Sequence, residues 1–401
     1  MADAVANSFL VIVLPLYIAS GEVRGTSLGL PVSAVTGIVL AVFGLSNAVA
    51  QPFAGRLSDR VGRRKAFVLA GLTIITVLNL SYTLAHSYVA IGLLRIGQGL
   101  GVAMTVTASV ALVNEVSERR TRGGNMGAYN SLRLLGFGSG PLAAGLVVSS
   151  GPYALPWGGS LSGYDAAFWM AGLGAMASAG LVLLLVRDPE RLTEDVGAME
   201  IAVRARDGEH LLDPIFTLGI ATLTMATCIS LLSAIEPVVN ERLDQGARWF
   251  GVQFAVFIIT LALAQPFVGR ASDRHGRRRF ILWGLASLVP TTLAQGLVVT
   301  SWQLFAARLA QGLSGALIFA PALALAGDLA RRGQSGLQLS VLTMAFTLGL
   351  SLGQLSAGFM VSRGYVVPFA FGSLLAVGAA LLVGSQVGED DPLGHGGRGT
   401  V

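Results

Sequence analysis

Few side chains in this 401-residue sequence can do chemistry, and their placement is unusual. Arg95 is followed three positions on by Gln98 within RIGQGL, and the same pair returns as Arg308 and Gln311 within RLAQGL, 213 positions later. Both arginines stand several residues inside long apolar runs, and Arg133 stands inside a third. A spacing of three puts each amide on the helix face of its arginine. A guanidinium at that depth is costly unless it faces water, a partner or a substrate. Such groups suit the binding of an anion, not the making of bonds. No carboxylate falls in the middle of an apolar run. Glu236, beside Pro237, and Glu22 hold equivalent places 214 apart; Glu236 is the first candidate for a titrating carboxyl, followed by Glu22 or Asp3.

A second charged feature is written twice: GRLSDRVGRRK at 55–65 and GRASDRHGRRR at 269–279. Gly55 and Gly62 permit a tight turn with close backbone approach, Asp59 can accept hydrogen bonds at a helix N-terminus, and the arginines favour one side of a membrane.

The elements that carry these groups follow from composition. With 53% hydrophobic residues, 12% charged residues and a mean hydropathy of +0.68, the chain has too little polar surface for a water-soluble globule of its length. At about 20 apolar residues per crossing, twelve spans are expected: 4–21, 32–54, 66–85, 88–113, 127–149, 165–186, 214–235, 249–268, 280–299, 302–327, 338–361 and 367–386. The first lacks the basic flank and cleavage site of a secretory signal and reads as a membrane helix. Its abrupt start is expected of a chain that lacks a few cytoplasmic residues ahead of it. The domains expected are a six-helix bundle over 1–186, a cytoplasmic linker over 187–213, a second bundle over 214–388 and a cytoplasmic tail over 389–401. The even-numbered connections, linker and tail hold most of the 27 Lys and Arg, whereas the other side holds Arg24, Arg242, Arg248 and Arg363. Both termini are therefore expected in the cytoplasm, with the chain in the cell membrane. The repeat offset of 213 or 214 makes the halves parallel repeats about an axis along the membrane normal.

On these residues the sequence resembles the major facilitator superfamily. Gly55, Leu57, Asp59, Arg60, Gly62, Arg63, Arg64 and Lys65 match its signature loop between spans two and three, echoed at Gly269, Asp273, Arg274, Gly276 and Arg277. The resemblance implies an all-α membrane protein of twelve transmembrane helices in two pseudo-symmetric bundles. It also implies that Asp59 and Asp273 are gating residues in a latch that holds one half's helices together in one access state. From Gly127 the chain runs GAYNSLRLLGFGSGPLAAG, which places Gly136, Gly140, Pro141 and Gly145 as in the fifth-helix antiporter signature, with Ala144 where that pattern usually has Gly. This is similar to proton-linked drug and metabolite exporters more than to importers. In the second half Gly349, Gly353 and Gly358 recur, but Gln354 replaces the proline. Arg95 with Gly97, Gly99 and Gly101 resembles the fourth-helix signature, whose arginine is linked to proton transfer. Exporters of this kind with an acid embedded in the first helix differ from this chain, so the proton-carrying group stays open.

The reading is a secondary transporter that moves a small solute by alternating access, with proton-coupled efflux of a drug-like or metabolite substrate foremost. Arg95, Gln98, Arg133, Glu236, Arg308 and Gln311 are the candidates for lining the cavity or coupling to protons. An organic-anion antiporter, a facilitated uniporter and a non-transporting receptor or scaffold are the alternatives. The expected partners are a small-molecule substrate, protons and the lipid bilayer, with the chain acting as a monomer. The net charge of +5 reports loop asymmetry rather than nucleic-acid binding. One cysteine, Cys228, and four histidines without ligand spacing, His86, His210, His275 and His395, build no metal site, and no cofactor or enzymatic grouping is expected. A cysteine introduced within 187–213 should react with thiol reagents only from the cytoplasm; labelling from outside the cell would contradict the two-bundle topology.

Overall fold

The computed structural model describes residues 2–25, 27, 29–117, 122–156, 158–187, 211–329 and 335–387. Most of the 187–213 linker and the 389–401 tail lie outside the described residues. The first half comprises α1 (Ala2–Ala19), α2 (Val32–Val61), α3 (Arg64–Ser81), α4 (Tyr88–Val116), α5 (Arg122–Ser150) and α6 (Gly163–Leu185). The second comprises α7 (Pro214–Ser230), the short α8 (Glu236–Arg242), α9 (Ala247–His275), α10 (Arg277–Leu297), α11 (Ser301–Leu329), α12 (Ser335–Met360) and α13 (Val367–Gln386). Among the described residues eleven helical stretches are long and apolar enough to cross a bilayer, Pro214–Arg242 counting as one of them, and the apolar part of α1, Ser8–Ala19, is a shorter one.

Local chemistry sets the ends. Ser87 and Ser162 cap α4 and α6 by accepting from the amides of Ala90 and Asp165. Asp213 caps α7 through the amides of Ile215 and Phe216, with Pro214 in the first turn, where its missing N–H costs nothing. Toward the arginine-rich end, called here the basic face, helices outrun the expected spans. Nothing in GRLSDRV breaks a helix, so α2 continues to Val61 and α9 to His275. Gly55 and Gly269 are therefore mid-helix residues with open space at the Cβ position, not turn residues. The turn falls on Gly62, whose left-handed φ of 63° suits glycine.

The halves meet at the opposite end, the far face, along two seams. In one, α5 lies against α9: a Cβ on Gly251 would stand 2.6 Å from the Pro141 carbonyl oxygen, and one on Gly145 2.5 Å from that of Ala247. In the other, α2 lies against α12: a Cβ on Gly37 would stand 2.6 Å from the Gln354 carbonyl oxygen, and Gly358 lies against the carbonyl of Ser33. The two seams are one contact made twice. Gly37 and Ser33 correspond to Gly251 and Ala247 at an offset of 214, and Pro141 and Gly145 correspond to Gln354 and Gly358 at 213. Backbone thus touches backbone across the far face. An apolar cluster joining Phe9, Leu10 and Tyr17 of α1 to Leu231, Leu232 and Ile235, and to Val239 of α8, fills the space between the seams.

Gly251→Val should destabilise this far-closed arrangement by about 1–3 kcal/mol through overpacking, opening the far face without unfolding either bundle. Faster reaction of a thiol placed in the seam, with little change in melting temperature, is the expected result.

Candidate functional site

Three sets of polar side chains lie on this frame. The first is a pair of ionic clamps on the basic face. Arg64, at the first turn of α3, pairs with Asp59 of α2 at 2.5 Å, donates Nε and Nη2 to Glu115 of α4 at 3.0 and 2.8 Å, and donates Nη1 to the Ser58 hydroxyl at 3.0 Å. In the second half Arg277 holds Asp273 at 2.9 Å and also pairs with Asp328. Lys65 donates to the Leu183 carbonyl at 2.8 Å, as Arg278 does to that of Gly384 at 2.5 Å, tying each clamp to the last helix of its half. Each clamp stays within one half. The geometry also corrects the sequence register: Arg277 corresponds to Arg64 and not to Arg63. The first half has an extra residue, Arg63, between Gly62 and α3, whereas Gly276 alone links α9 to α10. Asp59 meets the side chain of Arg64 rather than capping a helix. Arg60, Arg63 and Arg274 are exposed on the basic face.

The second set is the Arg–Gln pairs. Arg95 and Arg308 are each 1% exposed, so in this conformation both are buried within their own bundles and do not line an open cavity. Arg95 lies 4.8 Å from the ring centre of Phe43 and donates to Gln98 Oε1 at 3.3 Å. Gln98 in turn accepts from the Tyr82 hydroxyl at 2.8 Å and donates to Asn79 at 2.5 Å. Arg308 lies 4.5 Å from Phe257, the repeat mate of Phe43, and 5.0 Å from Phe254. It donates to Gln311 Oε1 at 2.7 Å and to the Ile229 carbonyl at 3.2 Å. Among the described residues neither arginine has a carboxylate within ion-pair distance. An arginine at mid-span costs about 3 kcal/mol on insertion scales, while a desolvated cation–π contact and a charge-assisted hydrogen bond each return about 2 kcal/mol. Arg308 is held by two rings and two bonds in place of an acid, with its Nη2 left unpartnered among the described residues. The rings come from other spans, so the local sequence around each arginine does not show them. Arg133 is half-buried and lies 5.6 Å from the Phe137 ring, with its Nε unpartnered.

The third set surrounds a break. The seventh span leaves α-helix at Ser230, passes through a turn and a 3-10 stretch, Ser233–Ile235, and resumes as α8 at Glu236 with Pro237 next. Glu236 is 0% exposed, and among the described residues neither carboxyl oxygen accepts a hydrogen bond within normal distance, although Asn240, one turn on, lies within interaction range. Its repeat mate Glu22 is exposed. Tyr164 of α6 packs at 5.6 Å between ring centres, tilted, on Tyr17 of α1, whose hydroxyl contacts His86 and the Ala85 carbonyl, each at 3.3 Å. The side chain of Asp3 lies outside the described residues. The tyrosines and the break were not among the sequence candidates; Pro237 after a Ser- and Thr-rich stretch was the available signal for the break.

In the fifth-helix motif, Gly136 accepts from the Ser8 hydroxyl at 3.4 Å and Gly140 packs on the same residue of α1. Pro141 and Gly145 form the seam to α9.

A frame of membrane-length helices with repeat-related polar sets and a seam joining two halves at one end defines a two-bundle membrane protein of the all-α class. The family model for the Major Facilitator Superfamily matches residues 1–245 and 218–398, and the chain belongs to that superfamily. It is 24% identical to the Quinolone resistance protein NorA of Staphylococcus aureus over 181 residues, 45% of this chain and 41% of that protein. It is 27% identical to Multidrug resistance protein 2 of Bacillus subtilis over 153 residues, 38% of each. The chain thus spans about two-fifths of the length of the curated relatives it matches. A bacterial homolog of the human lysosomal transporter Spinster, in an inward-facing and occupied conformation, superposes with a TM-score of 0.73 at 14% identity, covering 95% of this chain and 91% of that one. The human organic anion transporter MFSD10 superposes with a TM-score of 0.67 at 20% identity, covering 95% and 96%. The chain is therefore a multi-pass membrane protein with the fold of that superfamily.

Asp59→Asn removes one of the two acids held by Arg64 while leaving Glu115 in place. It should slow the transport cycle several-fold with little change in substrate affinity; an unchanged transport rate would contradict a latch role for the clamp.

Proposed function

We propose that the protein exports a small drug-like or metabolite solute from the cell in exchange for protons, with Glu236 as the residue that takes up the proton. The burial of Glu236 carries this reading. A carboxyl fully out of solvent, with at most the Asn240 amide near it, is expensive to keep charged in a membrane interior, and it sits beside a gate that must open in the cycle. Opening the far face would admit water, so the carboxyl would be hydrated in one access state and dry in the other. That alternation is what proton coupling requires. The names of the relatives, a quinolone resistance protein and a multidrug resistance protein, support export. The positive-inside rule supports a cytoplasmic basic face and cytoplasmic termini in the cell membrane. With the basic face inside, the closed far face is the outer gate. Nothing in the coupling needs a second subunit, and we assign a monomer.

A second reading, organic-anion transport, is favoured by Arg133. At 3.6 residues per turn, Arg133 and Phe137 fall between the stripe of α5 that meets α1, Gly136 and Gly140, and the stripe that meets α9, Gly138, Pro141 and Gly145. That angle faces the space between the halves. A cation on an aromatic platform there suits an aromatic carboxylate.

In proteoliposomes Glu236→Gln should retain solute exchange at equal pH and lose gradient-driven accumulation. Gradient-driven accumulation in that variant would contradict the assignment, and wild-type transport indifferent to dissipation of the proton gradient would favour a uniporter. A larger thermal shift with aromatic carboxylates than with their neutral amides, lost in Arg133→Gln, would select the anion reading.

A further inference from the structure

The break in the seventh span leaves backbone carbonyls to be satisfied, because the last four C=O groups of a helix have no intrahelical donor. At the end of α7 two of them are bonded by side chains of α11. Gln311 Nε2 donates to the Cys228 carbonyl and Arg308 Nη1 to that of Ile229, each at 3.2 Å. The two donors are joined by their own 2.7 Å hydrogen bond, and Gln311 Nε2 also lies 3.4 Å from the Thr292 hydroxyl. The rings of Phe254 and Phe257 flank the guanidinium. The far end of α8 is pinned as well: Arg242 lies 4.5 Å from the Tyr365 ring centre and donates to the Val298 carbonyl at 3.4 Å.

The first half has the same pair without this function. Gln98 donates to Asn79 and Arg95 donates to Gln98; among the described residues neither side chain bonds the backbone of α1. That helix runs unbroken through Pro15, the repeat mate of Ile229. The two pairs therefore share a sequence pattern and differ in what they hold.

We propose that Arg308 and Gln311 are positioning residues that keep the seventh span in its broken form, and thereby keep α8 and Glu236 in the closed far gate. A seventh span that ran straight would return the Cys228 and Ile229 carbonyls to backbone donors and release both side chains. It would also turn Glu236, since three residues changing from 3-10 to α geometry alter the helical phase by about 60°. The gate and the buried carboxyl would then move as one unit, governed by whether the α11 donors or the backbone hold two carbonyls. The Arg308 and Gln311 positions, which the sequence suggested as cavity contacts, act on α7 rather than on the solute.

The test uses Ser351, which is 2% exposed in the seam between α2 and α12. In a Cys228→Ser background, Ser351→Cys is reacted with a maleimide in nanodiscs, with neither substrate nor proton gradient present. Gln311→Leu and Arg308→Met should label several-fold faster than the parent, and Gln98→Leu should label at the parent rate. A parent-like rate in Gln311→Leu would overturn the proposal. So would an equal acceleration in Gln98→Leu, which would reduce the effect to general loosening. Should Arg308→Met fail to fold, Gln311→Leu decides alone, because it removes one neutral donor and leaves the charge in place. The rate reports the gate without transport, so failure of the export reading leaves this result standing, and failure here leaves export standing.

Discussion

The arrangement depends on one constraint: at the far face, carbonyl oxygens of one half lie where a β-carbon of the other would have to be. Pro141 against Gly251 and Gln354 against Gly37 leave no room for any side chain at the two glycines. Because the halves are repeats, this contact occurs twice and closes the far end from both sides. Such a surface holds well only when fully seated, since dispersion contacts fall away steeply with separation. Two short seams of this kind, with an apolar cluster between them, suit an interface that must form and part repeatedly.

The polar groups divide by position relative to the seams. The ionic clamps around Arg64 and Arg277 lie at the other end and bind helices within a half, so each bundle can move as a body. The buried Arg–Gln pairs occupy bundle interiors, where aromatic faces and amides substitute for a counter-charge. Only the second-half pair reaches outside its own network, to the broken span that carries Glu236. The two halves thus share a scaffold and are specialised at one helix.

Much of the frame was legible in the sequence because it is written in strong local signals: span-length apolar runs, arginines sorted to one set of loops, and a motif repeated at constant offset. Gly140, Pro141 and Gly145 were legible as a match to the fifth-helix signature, although which partners they meet depends on how the halves fold against each other. Other features were hidden for definite reasons. The phenylalanines that accommodate Arg95 and Arg308 come from α2 and α9, far away in the chain. The one-residue slip at Gly62 was invisible because GRR in both copies aligns equally well with or without it. Gly55 looked like a turn residue, yet the helix continues through it because no neighbour ends it. The break after Ser230 is stabilised by donors from another helix, which no propensity within the segment records. Glu236 and Glu22 looked equivalent as sequence; burial of one and exposure of the other separate them.

The central claim is that the two ends of this molecule open in opposition about the glycine seams. Spin labels at Arg60 and Arg274 on the basic face, and at Ser150 and Arg248 on the far face, give one distance across each end in the same lipid preparation. Changing pH or adding a transported solute should shorten the basic-face distance in the population in which the far-face distance lengthens. Distances that rise and fall together, or a far-face distance that never changes, would contradict the account.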